Sequence, residues 1–270
     1  AEAMDRFCRT TEVMDSSGRR NRGLLTADDM AKYQPTYETP TSVSYHDWEV
    51  FKIGPWGQGP AFLQTLKILE GIDLAGMGPA SPEFVHHVVE AMKLAFADRE
   101  AYYGDPDFVK VPLATLLSDD YAAGRRGLIG ERASLELRPG VVPGYEAQVA
   151  HALKALGAIA QPGQGGASVG EPTMASMVAA GRKGDTVHID VIDKWGNMVA
   201  ATPSGGWLQS SPVIPELGFP LNSRAQMFWL EEGLPSSLAP GKRPRTTLTP
   251  SIAFEKGEPR LAFGTPGGDQ

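Results

Sequence analysis

Gly184-Asp185-Thr186-Val187-His188-Ile189-Asp190-Val191-Ile192-Asp193 places a threonine at the start of a run in which apolar and polar residues alternate. Alternation over this length predicts a β-strand. The preceding residues, 156–185, are rich in glycine and alanine and have little apolar surface to bury, so we expect a flexible segment. A strand that begins directly after a flexible segment is a suitable place for the chain to be cut.

Cleavage between Asp185 and Thr186 would change the chemistry of the threonine hydroxyl. This hydroxyl is a weak nucleophile, but an N-terminal amine on the same residue can act as its base. A free α-amine titrates near ~8 and can accept a proton at neutral pH. Alternatively, Thr186 is only a β-branched residue that begins a strand. The flexible segment favours cleavage, because the new carboxyl end must be able to move away.

The composition excludes several classes of protein. With 270 residues, 41% of them hydrophobic, the chain can form one large domain or two small ones with a buried core. The net charge of −7 argues against nucleic acid and anionic membranes as partners, and no apolar run approaches the ~20 residues of a membrane span. The single cysteine, Cys8, excludes an intrachain disulfide and a cysteine metal cluster. The chain begins without methionine and stops inside a loop at 267–270, so we expect a fragment of a longer protein.

Before residue 156 the periodicity predicts mostly helices. Ser81-Pro82-Glu83 combines an N-cap serine, a proline and an acid, which is typical of a helix start, and Thr26-Ala27-Asp28-Asp29 resembles a capping box. Alternation over 42–53 predicts one or two strands. The predicted helices lie after Thr26, from the tight loop 54–60 to near Gly71, from Ser81 to about Tyr102, and, as one or two short helices, within 112–130.

After residue 186 the period changes from helical to two. A strand around Ile189, a turn at 194–197 and a second strand over 198–202 predict a hairpin. Residues 251–254 and 260–263, joined through 256–259, predict a second one. Helices therefore come first and strands later, with the flexible segment between them.

Two later motifs can carry chemistry. Gly264-Thr265-Pro266-Gly267-Gly268 follows a predicted strand, and adjacent glycines can turn their N–H groups inward as an oxyanion hole. The alternative is a plain turn; the spacing fits neither a dinucleotide fingerprint nor a Walker loop. Thr246-Thr247-Leu248-Thr249 is rich in hydroxyls that can hold a polar substrate, or can simply form a hydrogen-bonded loop.

Two polar groups upstream have simpler interpretations. His86, His87 and Glu90 hint at a metal, but adjacent histidines on a helix diverge by about 100°, and two ligands are not a site. We therefore expect a solvent-exposed helix face there. Asp105-Pro106-Asp107 is typical of a turn.

Together these motifs resemble the γ-glutamyltransferase family. Those similar to its small subunit are Thr186-Val187-His188, Asp193-x-x-Gly196-Asn197, Pro240-Gly241-Lys242-Arg243-Pro244-x-Thr246-Thr247-x-Thr249-Pro250 and Gly264-Thr265-Pro266-Gly267-Gly268. Those similar to the C-terminal half of its large subunit are Gly23-Leu24-Leu25-Thr26, Leu94-Ala95-Phe96-Ala97-Asp98-Arg99 and Tyr103-Gly104-Asp105-Pro106-Asp107-Phe108-Val109. The resemblance covers nearly the whole chain.

The resemblance implies the N-terminal-nucleophile hydrolase fold, an α+β protein built as an αββα sandwich, of which this chain is a part. Residues 1–185 then form the C-terminal part of the large subunit and end in the flexible segment at about 156–185. Residues 186–270 form the N-terminal part of the small subunit, and both parts belong to one composite domain. An inactive precursor is expected to cut itself between Asp185 and Thr186 into the two subunits of a heterodimer.

The resemblance also implies the roles of individual residues. Thr186 falls on the nucleophile, and Ser204 falls on a hydroxyl residue that contacts it, usually a threonine in the family. Thr246 and Thr247 fall on the paired serines that hold the substrate carboxylate. The glycines expected to form the oxyanion hole are Gly267 and Gly268. No metal or cofactor is implied.

Two departures from the family pattern concern the substrate. Gly206 stands where the family has an asparagine that helps to bind the γ-glutamyl group. Gln226 and Met227 stand where an acidic pair grips the substrate α-amine, and methionine cannot pair with an ammonium group. Such a lost contact is worth roughly 1.5–3 kcal/mol. Residues 201–211 instead look like the oxamate amidohydrolase branch, and the family's carboxylate-binding arginine would lie upstream of residue 1.

We therefore predict a self-processing amide hydrolase that acts on a small amide such as oxamate. One alternative is a γ-glutamyl hydrolase or transferase that acts on glutathione. Another, from a different class, is a non-catalytic relative used as a binding protein, or an inactive fragment.

Overall fold

The structure, a computed structural model, describes residues 1–14, 18–159, 186–204, 212–221 and 224–267. The helices are α1 (Glu2–Thr10), α2 (Ala27–Lys32), α3 (Gly59–Leu69), α4 (Leu74–Met77), α5 (Pro82–Tyr102), α6 (Leu113–Leu116), α7 (Asp119–Arg126) and α8 (Glu146–Ile159). The strands are β1 (Val13–Met14), β2 (Arg20–Asn21), β3 (Thr41–Tyr45), β4 (Trp48–Lys52), β5 (Ile189–Ile192), β6 (Met198–Ala201), β7 (Val213–Ile214), β8 (Phe219–Pro220), β9 (Ser251–Glu255) and β10 (Glu258–Phe263). A 3-10 turn covers Arg224–Met227.

A four-stranded antiparallel sheet of order β10-β9-β4-β3 joins the two halves of the chain. Its central pair, β4 and β9, places Val50 opposite Ala253. The predicted hairpin of β9 and β10 is confirmed, although β10 begins at Glu258, earlier than predicted. The one or two strands predicted over 42–53 are two, β3 and β4, paired antiparallel. Lys256 and Gly257 both have positive φ, 53° and 83°, as the commonest two-residue hairpin turn requires.

Helices α3 and α5 pack together, and α3 covers the sheet. The buried side chain of Leu63 on α3 packs with apolar side chains of β3, β4 and β9. Helix α5 begins as predicted, because Ser81 Oγ accepts a hydrogen bond from the Phe84 N–H at 3.0 Å. The capping box at Thr26 is also confirmed at the start of α2. Among the described helices, none is long and apolar enough to cross a membrane.

Helix α8 was not predicted, and it corrects the boundary of the expected flexible segment. Residues 156–159 form its last turn rather than the start of a flexible region. The helix forms because Val149, Ala152 and Leu156, at helical spacing, are buried in one apolar cluster with Tyr102 and other side chains. Residues 160–185 lie outside the described residues.

The hairpin of β5 and β6 is confirmed, with Ile189 opposite Ala201. Asp193 fixes its turn, since Oδ1 accepts hydrogen bonds from the backbone N–H groups of Trp195 and Asn197 at 2.8 and 2.9 Å. Ile189 and Val191, the apolar residues of the alternating run, are exposed in the part of the chain that the structure describes.

The prediction that His86, His87 and Glu90 lie on a solvent-exposed helix face is wrong for Glu90. Its side chain is 1% exposed, and its carboxylate accepts hydrogen bonds from Arg138 Nη2 at 3.0 Å and from the Ser134 N–H at 3.1 Å. A carboxylate can be buried here because cationic and N–H donors surround it.

The turn after Asp105 is confirmed by a hydrogen bond from the Phe108 N–H to the Asp105 carbonyl at 3.0 Å. Asp105 does more than form a turn. Its buried carboxylate accepts a hydrogen bond from Arg243 Nη2 at 2.8 Å, which ties the end of α5 to the segment before the hydroxyl-rich loop.

Candidate active site

The hairpin of β5 and β6 brings two hydroxyls together at its open end. Thr186 precedes β5 and Ser204 follows β6, and the Val187 N–H donates to the Pro203 carbonyl at 3.1 Å. This added backbone pairing holds Thr186 Oγ1 3.0 Å from Ser204 Oγ. The contact therefore follows from the register of this hairpin.

His188, two residues after Thr186, contacts both the hairpin and the glycine-rich loop. His188 Nδ1 lies 2.8 Å from Thr202 Oγ1, and Nε2 lies 2.9 Å from Asp190 Oδ2. A Cβ on Gly264 would lie 2.3 Å from His188 Cε1 and 2.7 Å from the Thr249 carbonyl oxygen. The glycine-rich loop can approach His188 this closely only because residue 264 has no side chain.

The hydroxyl-rich loop is held by the segment before α3. The Thr246 N–H donates to the Trp56 carbonyl at 2.8 Å, and Gln58 Nε2 donates to the Thr247 carbonyl at 3.0 Å. The Thr247 hydroxyl in turn donates to the Gly267 carbonyl at 3.2 Å. Thr246 Oγ1 is buried and has no hydrogen-bond partner among the described residues. A buried hydroxyl of this kind calls for an additional partner, such as a ligand or a water.

Lys52 binds the C-terminal end of the hydroxyl-rich loop, at Thr249. Its side chain is 2% exposed, and Nζ donates to the Thr249 carbonyl at 3.0 Å and to Ser251 Oγ at 2.6 Å. The rings of Phe62 and Phe263 lie 4.9 and 5.9 Å from the same nitrogen. Burial among these groups lowers the pKa of Lys52 from 10.5 to about 7.

We predict that Lys52 makes stability depend on pH above neutrality. Since its pKa is lowered on folding from 10.5 to about 7, the unfolded chain holds the extra proton between these values. The free energy of unfolding should rise with pH in this window, by at most about 1.4 kcal/mol per pH unit. Lys52→Met should remove this slope, whereas the exposed control Lys32→Met should keep it. Urea unfolding of the full-length protein at several pH values between about 7 and 10 provides the measurement, and parallel slopes in all three proteins would contradict it.

The sequence patterns did not reveal Arg224 as a residue of the site, nor Lys52. The side chain of Arg224 is 8% exposed; Nη2 donates to Ser204 Oγ at 2.8 Å and Nη1 donates to Thr247 Oγ1 at 3.2 Å. Arg224 thus connects the hydroxyl beside Thr186 with the hydroxyl-rich loop. Arg224 lies in the same turn as Gln226 and Met227, the positions where the family has its acidic pair. This proximity was the one sequence feature that pointed towards it. Met227 itself is fully buried.

The structure joins four of the residues expected at the site into one chain of hydrogen bonds through Arg224. In order they are Thr186, Ser204, Thr247 and Gly267, with Thr246 next to Thr247. The remaining expected residues, Asp185, Gly206 and Gly268, lie outside the described residues, as does the side chain of Gln226. The roles assigned to all these residues stay predictions.

Comparison with known proteins identifies the family. Residues 9–270 match the family described as gamma-glutamyltranspeptidase. The chain is 34% identical to the acylase ACY 1 proenzyme of Pseudomonas sp. (strain SE83), over 92% of this chain and 38% of that protein. It is 29% identical to the glutathione hydrolase proenzyme of Escherichia coli (strain K12), over 98% of this chain and 43% of that protein.

A solved structure, that of LmbA2991HD, is 49% identical with a TM-score of 0.78, and the match covers 100% of this chain and 42% of that one. The chain thus spans about two fifths of the length of these relatives. The fold prediction is confirmed, since the described residues form part of the α+β N-terminal-nucleophile hydrolase fold. Because the family match covers almost the whole sequence, this chain belongs to the γ-glutamyltranspeptidase family.

Proposed function

We propose that the full-length protein is a self-processing amide hydrolase with Thr186 as its nucleophile. The observation that carries this proposal is the position of Thr186 Oγ1, 3.0 Å from Ser204 Oγ at the start of β5. The names of two relatives, which call them proenzymes, support a precursor that is cut. The large and small subunits of the mature protein would then come from one chain and stay together as a heterodimer.

Processing in this proposal uses the Thr186 hydroxyl against its own peptide bond. Oγ attacks the Asp185 carbonyl carbon, the C–N bond breaks, and the acyl group moves from nitrogen to oxygen as an ester. Water then hydrolyses the ester, which leaves a carboxylate on Asp185 and a free α-amine on Thr186. Ser204 Oγ accepts a hydrogen bond from Arg224 and lies 3.0 Å from Thr186 Oγ1, so the Ser204 hydroxyl links the nucleophile to Arg224.

Turnover uses the same hydroxyl with the new amine as its base. The α-amine takes the proton from Thr186 Oγ as this oxygen attacks the substrate amide carbonyl, and the leaving amine departs with that proton. The N–H groups of Gly267 and Gly268 are proposed to bind the oxyanion. Water, or an acceptor amine, then releases the acyl group from the ester. The scheme requires no metal or cofactor.

The proposed substrate is a small amide without an α-amine, such as oxamate. The positions expected to grip an α-ammonium group are Gln226 and Met227, and Met227 is a buried apolar side chain. A cation, Arg224, reaches the site from the same turn. The alternative substrate, a γ-glutamyl compound such as glutathione, is favoured by the similarity to a glutathione hydrolase proenzyme.

The full-length protein tests this proposal directly. N-terminal sequencing should find a second chain that begins at Thr186, and kcat/KM for oxamate should exceed that for γ-glutamyl-p-nitroanilide by about tenfold or more, as expected from loss of one charged contact. Fast γ-glutamyl turnover would overturn the substrate assignment. An uncut chain that hydrolyses neither compound would instead favour a non-catalytic binding protein.

A further inference from the structure

One face of the hairpin of β5 and β6 carries a row of polar side chains that begins at the nucleophile. Alternate residues of an extended chain point to the same face, so Thr186, His188 and Asp190 lie on one side of the hairpin. When the register of the hairpin is continued by one residue, Thr202 lies opposite His188. Thr202 Oγ1 is 2.8 Å from His188 Nδ1, and Asp190 Oδ2 is 2.9 Å from His188 Nε2. The buried imidazole is therefore held at both of its nitrogens.

These contacts separate His188 from the activation of the nucleophile. An ionised carboxylate only accepts hydrogen bonds, so the His188 Nε2–H donates to Asp190. The other ring nitrogen faces the Thr202 hydroxyl. Thr186 Oγ1 contacts Ser204 instead, and two residues along a strand span about 6.6 Å. The imidazole is thus not in position to take the proton from Thr186.

The edge of the same ring packs against the backbone of Gly264, where the glycine-rich loop begins. A Cβ on Gly264 would lie 2.3 Å from His188 Cε1 and 2.7 Å from His188 Nδ1. A carbon–carbon bond to the backbone is only about 1.5 Å long, so the ring contacts the Gly264 backbone directly. The Thr249 carbonyl oxygen would lie 2.7 Å from the same Cβ. The ring and this carbonyl together confine the start of the loop.

The far end of the described part of this loop is fixed by a different contact. The Thr247 hydroxyl donates to the Gly267 carbonyl at 3.2 Å. The loop is thus held by His188 at Gly264 and by Thr247 at Gly267. In the proposed mechanism the N–H groups of Gly267 and Gly268 bind the oxyanion. Donors of this kind act only when they lie at hydrogen-bond distance from the place where the charge develops.

We propose that His188 is a positioning residue that fixes the glycine-rich loop relative to the nucleophile. Its hydrogen bonds with Thr202 and Asp190 set the orientation of the ring on the hairpin that carries Thr186. Its contact with Gly264 sets the position of the loop that carries the oxyanion donors. This inference rests on the proposed amide hydrolysis, and it adds the side chain that holds the nucleophile and the oxyanion hole at a constant separation.

The first test is kinetic and uses the mature full-length enzyme with oxamate or γ-glutamyl-p-nitroanilide, whichever the wild type hydrolyses. His188→Ala should lower kcat by about 10- to 100-fold, since a displacement of about 1 Å has effects of this size. KM should change by less than about threefold, because an oxyanion contact acts mainly in the transition state. Thr202→Val keeps the volume but removes the hydroxyl that orients the ring, so its loss should be smaller.

Rates are expressed per folded and cleaved molecule, so a variant that is only less stable keeps its kcat. The control Lys194→Ala, in the exposed turn of the same hairpin, should behave like the wild type. If His188→Ala fails to fold, Thr202→Val still provides the test, with a fall in kcat and a nearly constant KM. A wild-type kcat in these variants, or a loss confined to KM, would overturn the inference.

A double variant tests whether His188 acts through the loop. Gly264→Ala should also lower kcat, because the new methyl group would collide with the ring and with the Thr249 carbonyl. In a His188→Ala background the ring is absent, so the same methyl group should cause a smaller further loss. Losses that multiply in full would show that His188 acts on a different part of the site.

Crystal structures separate this inference from the proposed function. The full-length Thr186→Ala protein is compared with and without His188→Ala, so that neither cleavage nor turnover enters the comparison. The glycine-rich loop should move relative to residue 186 by more than about 0.5 Å, the tolerance of a catalytic arrangement. If the wild type hydrolyses no amide, the proposed function fails, but this comparison still tests His188. A smaller movement of the loop would contradict a positioning role.

Discussion

Thr186→Ala in the full-length precursor is expected to leave a single uncut chain that hydrolyses no amide. The substitution removes the oxygen that attacks both the Asp185 carbonyl and the substrate. Loss of a nucleophile from a catalytic unit lowers turnover by at least about a thousandfold. The fold should survive, because the Thr186 side chain is only half-buried and its one described side-chain contact is with Ser204.

Mass spectrometry of the purified protein measures whether the chain is cut, and an amide-hydrolysis assay measures the loss of turnover. Thr186→Ser is the matched control, since it keeps the hydroxyl and, after cleavage, the α-amine. It should be cut at the same bond and retain activity. Val187→Ala, at the next position, should behave like the wild type. Cleavage before residue 186 in Thr186→Ala would show that another group attacks, and would remove Thr186 from the proposed mechanism.

Local signals were sufficient for two helix starts and for the hairpin that positions Thr186. Ser81 and Thr26 begin helices through hydrogen bonds within three residues of themselves, so a short stretch of sequence contains the whole cause. The hairpin of β5 and β6 is equally local, and its register alone brings Thr186 and Ser204 together. Helix α8 was missed, although the spacing of its buried residues Val149, Ala152 and Leu156 is helical.

The rest of the site depends on contacts between distant segments, which periodicity does not reveal. Lys52 and Thr249 meet only because β4 pairs with β9. Arg224 reaches Ser204 and Thr247 from a 3-10 turn, and a turn of this length has no periodic pattern. The residues at 226 and 227 therefore predicted that the site lacks the family's acidic pair. They did not reveal Arg224, which lies in the same turn.

Glu100→Gln is expected to destabilise the protein by about 3–5 kcal/mol, the range for breaking a buried ion pair. The carboxylate of Glu100, near the end of α5, accepts hydrogen bonds from Arg99 Nη2 at 3.0 Å and from Arg245 Nη1 at 2.9 Å. All three side chains are at most 2% exposed. Glutamine keeps the shape but removes the negative charge, so each of the two ion pairs to Glu100 is broken in a buried environment. Since a typical protein has only about 5–15 kcal/mol of stability, this is a large fraction of the total.

Urea unfolding of the full-length protein provides the measurement, with Glu83→Gln as the control at the exposed start of the same helix. That control should change stability by less than about 1 kcal/mol, the range of a helix-dipole contact. Addition of Arg245→Met to Glu100→Gln should cost less than the two single losses combined, because both changes break the same Glu100–Arg245 ion pair. Arg245 directly precedes Thr246 and Thr247, so the same ion pair fixes the start of the hydroxyl-rich loop. A Glu100→Gln protein as stable as the control, or strictly additive losses in the double variant, would mean that α5 and this loop are held together by apolar packing rather than by the charges.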